Sequence, residues 1–478
     1  MLHLIIALLH GSAVRRIGPN WSDAATQTFA ELQSRYWSQS YWRDSLWWQE
    51  ANTLEAACNY AMVVPAAKPR VAAVIDAVYN ATANDTVGRC DRGVHLTFSG
   101  FFDDEAWWGI AWLRAHTLMH QERYLLRAQA VFEDLVNRSW SEQSCGGGCC
   151  WQARGVNGDV EDLAHCYKNA ITNELFISFG AQLAATYTLR GEHANAAWAH
   201  DWAHKALRWF VGSGMINASS LVNDGLDTFP SHPSVCLNNR RTAYSYNQGV
   251  VLSALGYLYA DADAGGRYNR RSAEAFERPT ADGVASRAAV ASVATTGGAL
   301  DATLEPSSPL ALLQLAARII GAVWAPNSSL TYRGSGGVLR EVQEATLSPQ
   351  GTLPNLYAGS PGTDGLQFKS VLLRHLRYLI DQVRLANGGS EAAAQKAVAA
   401  AGGNLSLWRE HIVRNAESIW DNAACAAPQA LTPGSTQLTV PALFGFLWMG
   451  PCSWAFGGPT ATTQTAALDA FVAAAGLL

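Results

Sequence analysis

The sequence predicts an all-α protein, an (α/α)6 barrel of about twelve helices. Three observations point there. Apolar residues recur at helical spacing along almost the whole chain, and runs that alternate with period two are scarce. The predicted helices come in pairs, with long glycine-rich connectors ahead of alternate ones. In such a barrel one helix of each pair joins an inner ring and the connectors build a cleft at one end. An open helical solenoid also consists of helix pairs, but no fixed-period repeat supports it.

In chain order the helices fall at about residues 20–37, 46–64, 70–82, 104–121, 122–140, 170–190, 192–212, 246–261, 308–324, 366–387, 404–423 and 464–478. The helix at 104–121 shows the pattern most clearly, with apolar residues at 107, 110, 111, 115, 118 and 119. Asp103 or Asp104 suits its N-cap and Glu105 its first turn. The helices at 46, 170, 246 and 366 each begin with a polar and aromatic cluster. Residues 261–308 break the rhythm; rich in Ala, Ser, Thr, Gly and Arg, they read as an insertion. Residues 20–478 are otherwise read as one domain, preceded by a short apolar segment at 1–13 that resembles a clipped secretory signal.

Composition removes several classes of function. The chain has 478 residues, 49% apolar and 15% charged, with 18 Trp and a net charge of −5. That balance provides a large core and argues against nucleic-acid binding. No stretch is long and apolar enough to span a membrane. Asn20, Asn80, Asn84, Asn137, Asn217, Asn327 and Asn404 each begin an N-glycosylation sequon. The nine cysteines include Cys145, Cys149, Cys150 and Cys166, whose spacing fits disulfides better than zinc. Their odd number leaves at least one thiol unpaired. A secreted monomer with no cofactor and no metal is therefore expected.

The stretch Phe101-Phe102-Asp103-Asp104-Glu105-Ala106-Trp107-Trp108 carries the chemistry. A capped core helix explains one acidic residue at a helix start, but this stretch has three. Neighbouring carboxylates resist ionising together, so their pKa values separate. One protonated and one ionised carboxyl group is what glycoside hydrolysis requires. Trp107 and Trp108 behind them offer faces on which a sugar ring can stack. In the other clusters Trp47, Gln49 and Asn52, then Tyr167, Lys168, Asn169 and Asn173, then Tyr246, Asn247 and Gln248, and finally Phe368 and Lys369 are candidate sugar ligands, with Asp224 on a loop. If the inner helices run parallel, all these helix starts converge on one cleft.

The 101–112 stretch resembles glycoside hydrolase family 76, the endo-α-1,6-mannanases and their fungal cell-wall relatives. Trp47-Trp48-Gln49-x-Ala51-Asn52, Tyr167-Lys168-Asn169-Ala170-x-x-Asn173-Glu174, Tyr244-x-Tyr246-Asn247-Gln248-Gly249, Phe368-Lys369, Trp448-x-Gly450-Pro451 and Gln464-Thr465 are similar to further motifs of that family, in its order. The resemblance implies an (α/α)6 barrel and a retaining mechanism on α-1,6-linked mannose, with Asp103 as nucleophile and Asp104 as acid/base. It implies α-1,6-mannan or manno-oligosaccharides as substrate and a secreted enzyme, associated with the cell wall in some relatives. A departure lies at Leu339-Arg340-Glu341-Val342, where many fungal members carry Cys-Glu-Pro and only the Glu is kept.

Other readings compete. The same site suits a cell-wall transglycosylase that passes α-mannose glycans of lipid-anchored proteins to an acceptor. A mannan-binding protein without activity is expected to lack an aspartate of the pair, and both are present. Epimerases and lyases on this fold rely on histidine or on Tyr/Arg pairs, and the 12 His form no cluster in the motifs.

Overall fold

The computed structural model describes residues 19–82, 100–152, 163, 166–229, 231–232, 235–263, 308–345, 364–425, 443–452 and 458–477. Segment 1–13, Asn84, Cys90 and nearly all of the 261–308 segment lie outside the described residues.

The helices are α1 (Trp21–Arg35), α2 (Trp47–Val63), α3 (Lys68–Ala81), α4 (Phe102–Met119), α5 (Glu122–Asp134), α6 (Ala170–Arg190), α7 (His193–Gly212), α8 (Ser245–Asp263), α9 (Pro309–Val323), α10 (Val342–Ala345), α11 (Phe368–Ala386), α12 (Glu391–Ala400), α13 (Leu405–Asn422) and α14 (Ala461–Ala475). Each of the twelve expected helices is there. Six of them, α2, α4, α6, α8, α11 and α14, pack in that order into a closed ring, with α14 returning to α2. An outer helix precedes each inner one, so the inner helices share a direction and their N-termini share an end.

Composition sorts inner from outer. All fifteen residues of α14 and sixteen of the 21 in α6 are buried, whereas α7 buries seven of 20. A helix that is apolar all round has no solvent face and must sit inside. Small residues let the ring close. A Cβ on Gly249 or Gly256 of α8 would come within 2.5 or 2.9 Å of the Leu372 or Leu379 Cα on α11.

The connectors ahead of the inner helices are fastened by amides. Asn173 accepts from the Cys149 N–H at 2.7 Å and donates to its carbonyl at 3.1 Å. Gln248 does the same to Val222, both bonds at 2.8 Å. Asn415 and Gln464 accept from the N–H groups of Leu339 and Phe444. All four clamped residues sit in isolated antiparallel bridges of their loops. A small antiparallel sheet, β1 (Lys168–Asn169), β2 (Gly225–Thr228) and β3 (Cys236–Asn238), joins the loops before α6 and α8, pairing Asn169 with Gly225. Disulfides Cys145–Cys236 and Cys150–Cys166 tie the same region, and Cys425–Cys452 ties the loop before α14. Cys58 and Cys149 are buried free thiols.

Two expectations need correction. The α4 helix begins at Phe102, with Phe101 as its N-cap, so Asp103 and Asp104 lie in the first turn and cap nothing. The α12 helix was not expected, because its Ala-rich sequence buries only Ala394 and Val398 and carries almost no apolar stripe. Among the sequons, Asn20, Asn80, Asn137, Asn327 and Asn404 are exposed. Asn217 is half-buried, its amide donating to Asn223 at 2.9 Å.

Candidate active site

The head of α4 is built by the loop before α6. The Trp151 carbonyl accepts from the Phe102 N–H at 2.9 Å, in place of a side-chain cap. The Trp151 indole N–H donates to Asp103 Oδ2 at 3.0 Å, and the Asp104 N–H donates to Asp103 Oδ1 at 3.1 Å. Both oxygens of Asp103 are therefore held by donors. Glu105 points elsewhere: its Oε1 accepts from the Gly100 N–H at 2.7 Å, and burial together with the Asp134 charge of α5 holds it well above the usual carboxylate range.

Among the described residues neither Asp103 nor Asp104 is ion-paired. Burial pushes Asp103 up to about 7, against the pull of the Asp104 N–H and the Trp151 indole. Burial pushes Asp104 well above the usual carboxylate range, and the charges of Asp103 and Asp364 add to it. The pair thus splits by its hydrogen bonds: Asp103, with donors on both oxygens, ionises first, and Asp104 keeps the proton.

The other inner helices supply the surroundings. Tyr246, at the start of α8, stacks on Phe368, at the start of α11, with ring centroids 3.7 Å apart. Trp48 packs against Phe368 at 5.9 Å and Trp107 at 6.0 Å, and its indole N–H donates to Asp364 at 3.3 Å. Asp224 accepts from the Tyr167 hydroxyl at 2.5 Å, which Asn239 also contacts at 3.0 Å. Burial raises the Tyr246 phenol, and the charges of Asp224 and Asp103 raise it further. Glu174 and Asn247 are fully buried, and neither side chain has a hydrogen-bond partner among the described residues.

Several expected sugar ligands serve the frame instead. Trp108 is fully buried between Trp47, at 4.5 Å, and Trp112, at 5.8 Å, and Trp107 is 2% exposed, so neither offers a face to a ligand. Trp47 stays half-buried. Gln49 accepts from the Leu46 N–H and the Thr462 hydroxyl, both at 2.9 Å. Asn52 donates to the Trp48 carbonyl and accepts from Arg374. Lys168, fully buried, donates to the carbonyls of Gly148 at 2.6 Å and Ser141 at 3.0 Å. Asn169 caps α6 through the Thr172 N–H, and Asn173 and Gln248 are the loop clamps described above. Lys369 pairs with Glu344 at 2.5 Å and the Phe446 carbonyl at 2.7 Å. These positions share a physical reason: a buried polar group needs partners, and here the protein supplies them.

At the departure noted in the sequence, Glu341 accepts from the Ser245 N–H of α8 at 3.0 Å. The retained Glu thus caps an inner helix. Sequence reasoning missed Trp151 and Asp364. Trp151 follows the Cys149-Cys150 pair, and Asp364 is the last acidic residue before the Phe368-Lys369 motif, but neither lies on a periodic segment.

The family model for glycosyl hydrolase family 76 matches residues 19–281, more than half of the chain. Mannan endo-1,6-alpha-mannosidase DCW1 of Saccharomyces cerevisiae is 33% identical over 165 residues, and its Candida albicans namesake 30%. Each match covers 33% of this chain and 33% of the relative, so the matched part spans about a third of those proteins. Among solved structures, the GH76A alpha-1,6-mannanase from Salegentibacter sp. HEL1_6 superposes with a TM-score of 0.62, at 19% identity, over 96% of this chain and 100% of that one. Dfg5 from Chaetomium thermophilum, in complex with glucosamine, gives 0.59 at 16% identity, over 95% and 90%. The matched region contains the α4 aspartates and four of the six inner helices, and the shared fold runs through the whole ring. The chain belongs to glycosyl hydrolase family 76.

Proposed function

We propose that this chain is a secreted, retaining glycosidase that cleaves internal α-1,6-mannosidic bonds in mannan. The observation that carries the reading is the Asp103–Asp104 pair: adjacent, without an ion pair among the described residues, and split because the Trp151 indole and the Asp104 N–H hold Asp103 so that it ionises before Asp104. Asp103, held by the Trp151 indole and the Asp104 N–H, is the nucleophile. Its carboxylate attacks the anomeric carbon as the glycosidic C–O bond breaks, while Asp104 gives its proton to the departing oxygen. Water then attacks the glycosyl-enzyme ester and returns a proton to Asp104, freeing Asp103. The names of the similar proteins support this substrate. An inactive variant of the Salegentibacter enzyme, with two consecutive aspartates replaced by alanine, was solved with alpha-1,6-mannotetrose.

The test is release of reducing ends from unbranched α-1,6-mannan. Short manno-oligosaccharides from the wild type, and none from Asp103→Asn or Asp104→Asn, are expected. No release by the wild type overturns the reading.

A second reading keeps the covalent intermediate and passes the glycosyl group to a sugar acceptor, as a cell-wall transglycosylase would. The amino sugar bound to the similar Dfg5 structure favours it. Longer products on adding a mannoside acceptor would distinguish it from hydrolysis. Three disulfides and five exposed sequon asparagines suit an oxidising secretory route and a glycoprotein. Loss of apparent mass on endoglycosidase treatment of the yeast-expressed protein checks that part.

A further inference from the structure

The α4 pair accounts for bond cleavage but leaves open what holds the sugar against it. Most polar side chains at the inner-helix N-termini are engaged with the protein. Asp364 differs. It lies on the short 3-10 turn Asp364–Leu366 that leads into α11, across the ring from α4, and it is exposed. The Trp48 indole N–H binds its Oδ1 at 3.3 Å, and no protein donor binds its Oδ2 among the described residues. That indole is itself fixed, packed against Trp107, one turn below the aspartates, and against Phe368.

We propose that Asp364 is a specificity residue of this site, a fixed carboxylate whose Oδ2 accepts hydrogen bonds from the hydroxyls of the mannosyl unit being transferred. The inference rests on the glycosidase reading above and adds to it the group that grips the sugar. A carboxylate suits the task because it only accepts and sugar hydroxyls donate, and a charge-assisted hydrogen bond is about twice as strong as a neutral one. Trp48 links Asp364 to the Phe368 ring, and the half-buried Tyr246 stacked on that ring leaves the sugar an apolar surface to lie on while its hydroxyls reach Asp364.

The placement has an electrostatic consequence. The carboxylate that acts on both members of the α4 pair is Asp364, and the phenol next to them is Tyr246, on which Asp103, Asp224, Tyr244 and Glu174 all act. Asp364 lies near enough to raise both Asp103 and Asp104. Removing its charge therefore lowers both. Asp103 then ionises at lower pH and Asp104 also loses its proton at lower pH, so both limbs of the pH profile move in the acidic direction.

The experiment compares wild type, Asp364→Asn, Asp364→Glu and the exposed control Asp227→Asn on α-1,6-mannan across pH. Asp364→Asn is expected to lower kcat/KM about 100-fold, the loss typical of one charged hydrogen bond, and to shift both limbs down. Asp364→Glu recovers part of the loss, and Asp227→Asn changes nothing. Circular dichroism melts of all four are expected to agree within a few degrees, since Asp364 is exposed. Calorimetry with α-1,6-mannotriose on Asp104→Asn, alone and with Asp364→Asn, reads binding without turnover, and a tenfold weaker double variant is expected. A wild type that cleaves mannan beside an Asp364→Asn enzyme with unchanged pH profile, KM and affinity overturns this inference alone. A wild type that neither cleaves mannan nor binds mannotriose overturns the glycosidase reading and this inference with it.

Discussion

Two groups of acids in the same ring receive opposite treatment. At the head of α4, Asp364 acts on both Asp103 and Asp104, and none of the three has an ion-pair partner among the described residues. About two turns along the neighbouring helices, Asp469 of α14 and Glu55 of α2 converge on Arg374 of α11. Arg374 donates to Asp469 at 2.9 Å and lies 3.4 Å from Glu55, which also accepts from the Tyr378 hydroxyl at 2.7 Å. Burial pushes Asp469 up to about 7 even with Arg374 beside it. One cluster pairs its charges and locks three inner helices together. The other leaves its acids without a cation, among the described residues, where a substrate can reach them. Strain of that kind is tolerated where chemistry needs it and is offset by the rest of the fold.

The comparison breaks most sharply at Asp103 and Asp104. Replacing either with Asn is expected to lower kcat by at least about a thousandfold and, at pH 8, to raise Tm by a few degrees, because a desolvated acid without a counter-ion is gone. A fall in Tm for both variants would show that the pair stabilises the fold. The reverse is expected at Arg374. Arg374→Met leaves two buried carboxylates without their cation and should cost about 3–5 kcal/mol by urea denaturation. Adding Asp469→Asn should restore part of that, and a double variant no better than the single one would deny the coupling.

Trp108→Ala tests the reassignment of the tryptophans to the core. A cost of about 3–5 kcal/mol is expected for a fully buried aromatic in the ring, with an unchanged KM for those molecules that fold. A raised KM with little lost stability would return Trp108 to the cleft. The smallest effect lies in pH. The pKa values of Asp103, Glu341 and Asp469 rise to about 7, and that of Glu50 to about 9. Groups raised on folding favour the folded state below their unfolded values, and that stability is lost as pH rises through the folded ones. Thermal melts are therefore expected to be highest near or below pH 4 and to fall from there to about pH 9, most steeply up to about pH 7. Asp103→Asn should flatten part of the slope, and an unchanged slope would place the loss at other groups.

Much of the molecule was legible in the sequence because helical periodicity is local. Twelve helices were placed within a few residues, and their pairing pointed to two rings. The aspartate pair was legible too, since two adjacent acids ahead of tryptophans form a pattern that needs no neighbour to be seen. The helix starts were read correctly as converging, but not what they do there. Asn173, Gln248 and Lys168 look like sugar ligands in sequence, and whether a buried amide or ammonium serves a loop or a ligand depends on what lies opposite.

The sequence by itself determined the helical class, the order of inner and outer helices and the position of the carboxylate pair. Those follow from spacing along one chain. Only the tertiary structure decided which polar side chains remain free for a substrate, that Trp107 and Trp108 belong to the core, that Trp151 orients Asp103 and that Asp364 joins the pair from more than 250 residues away. Ring closure brings those groups within hydrogen-bonding and Coulombic reach. Hydrogen bonds fall off within a few ångströms and Coulombic interactions with the inverse of distance, so both depend on distance in space, which a linear pattern does not carry.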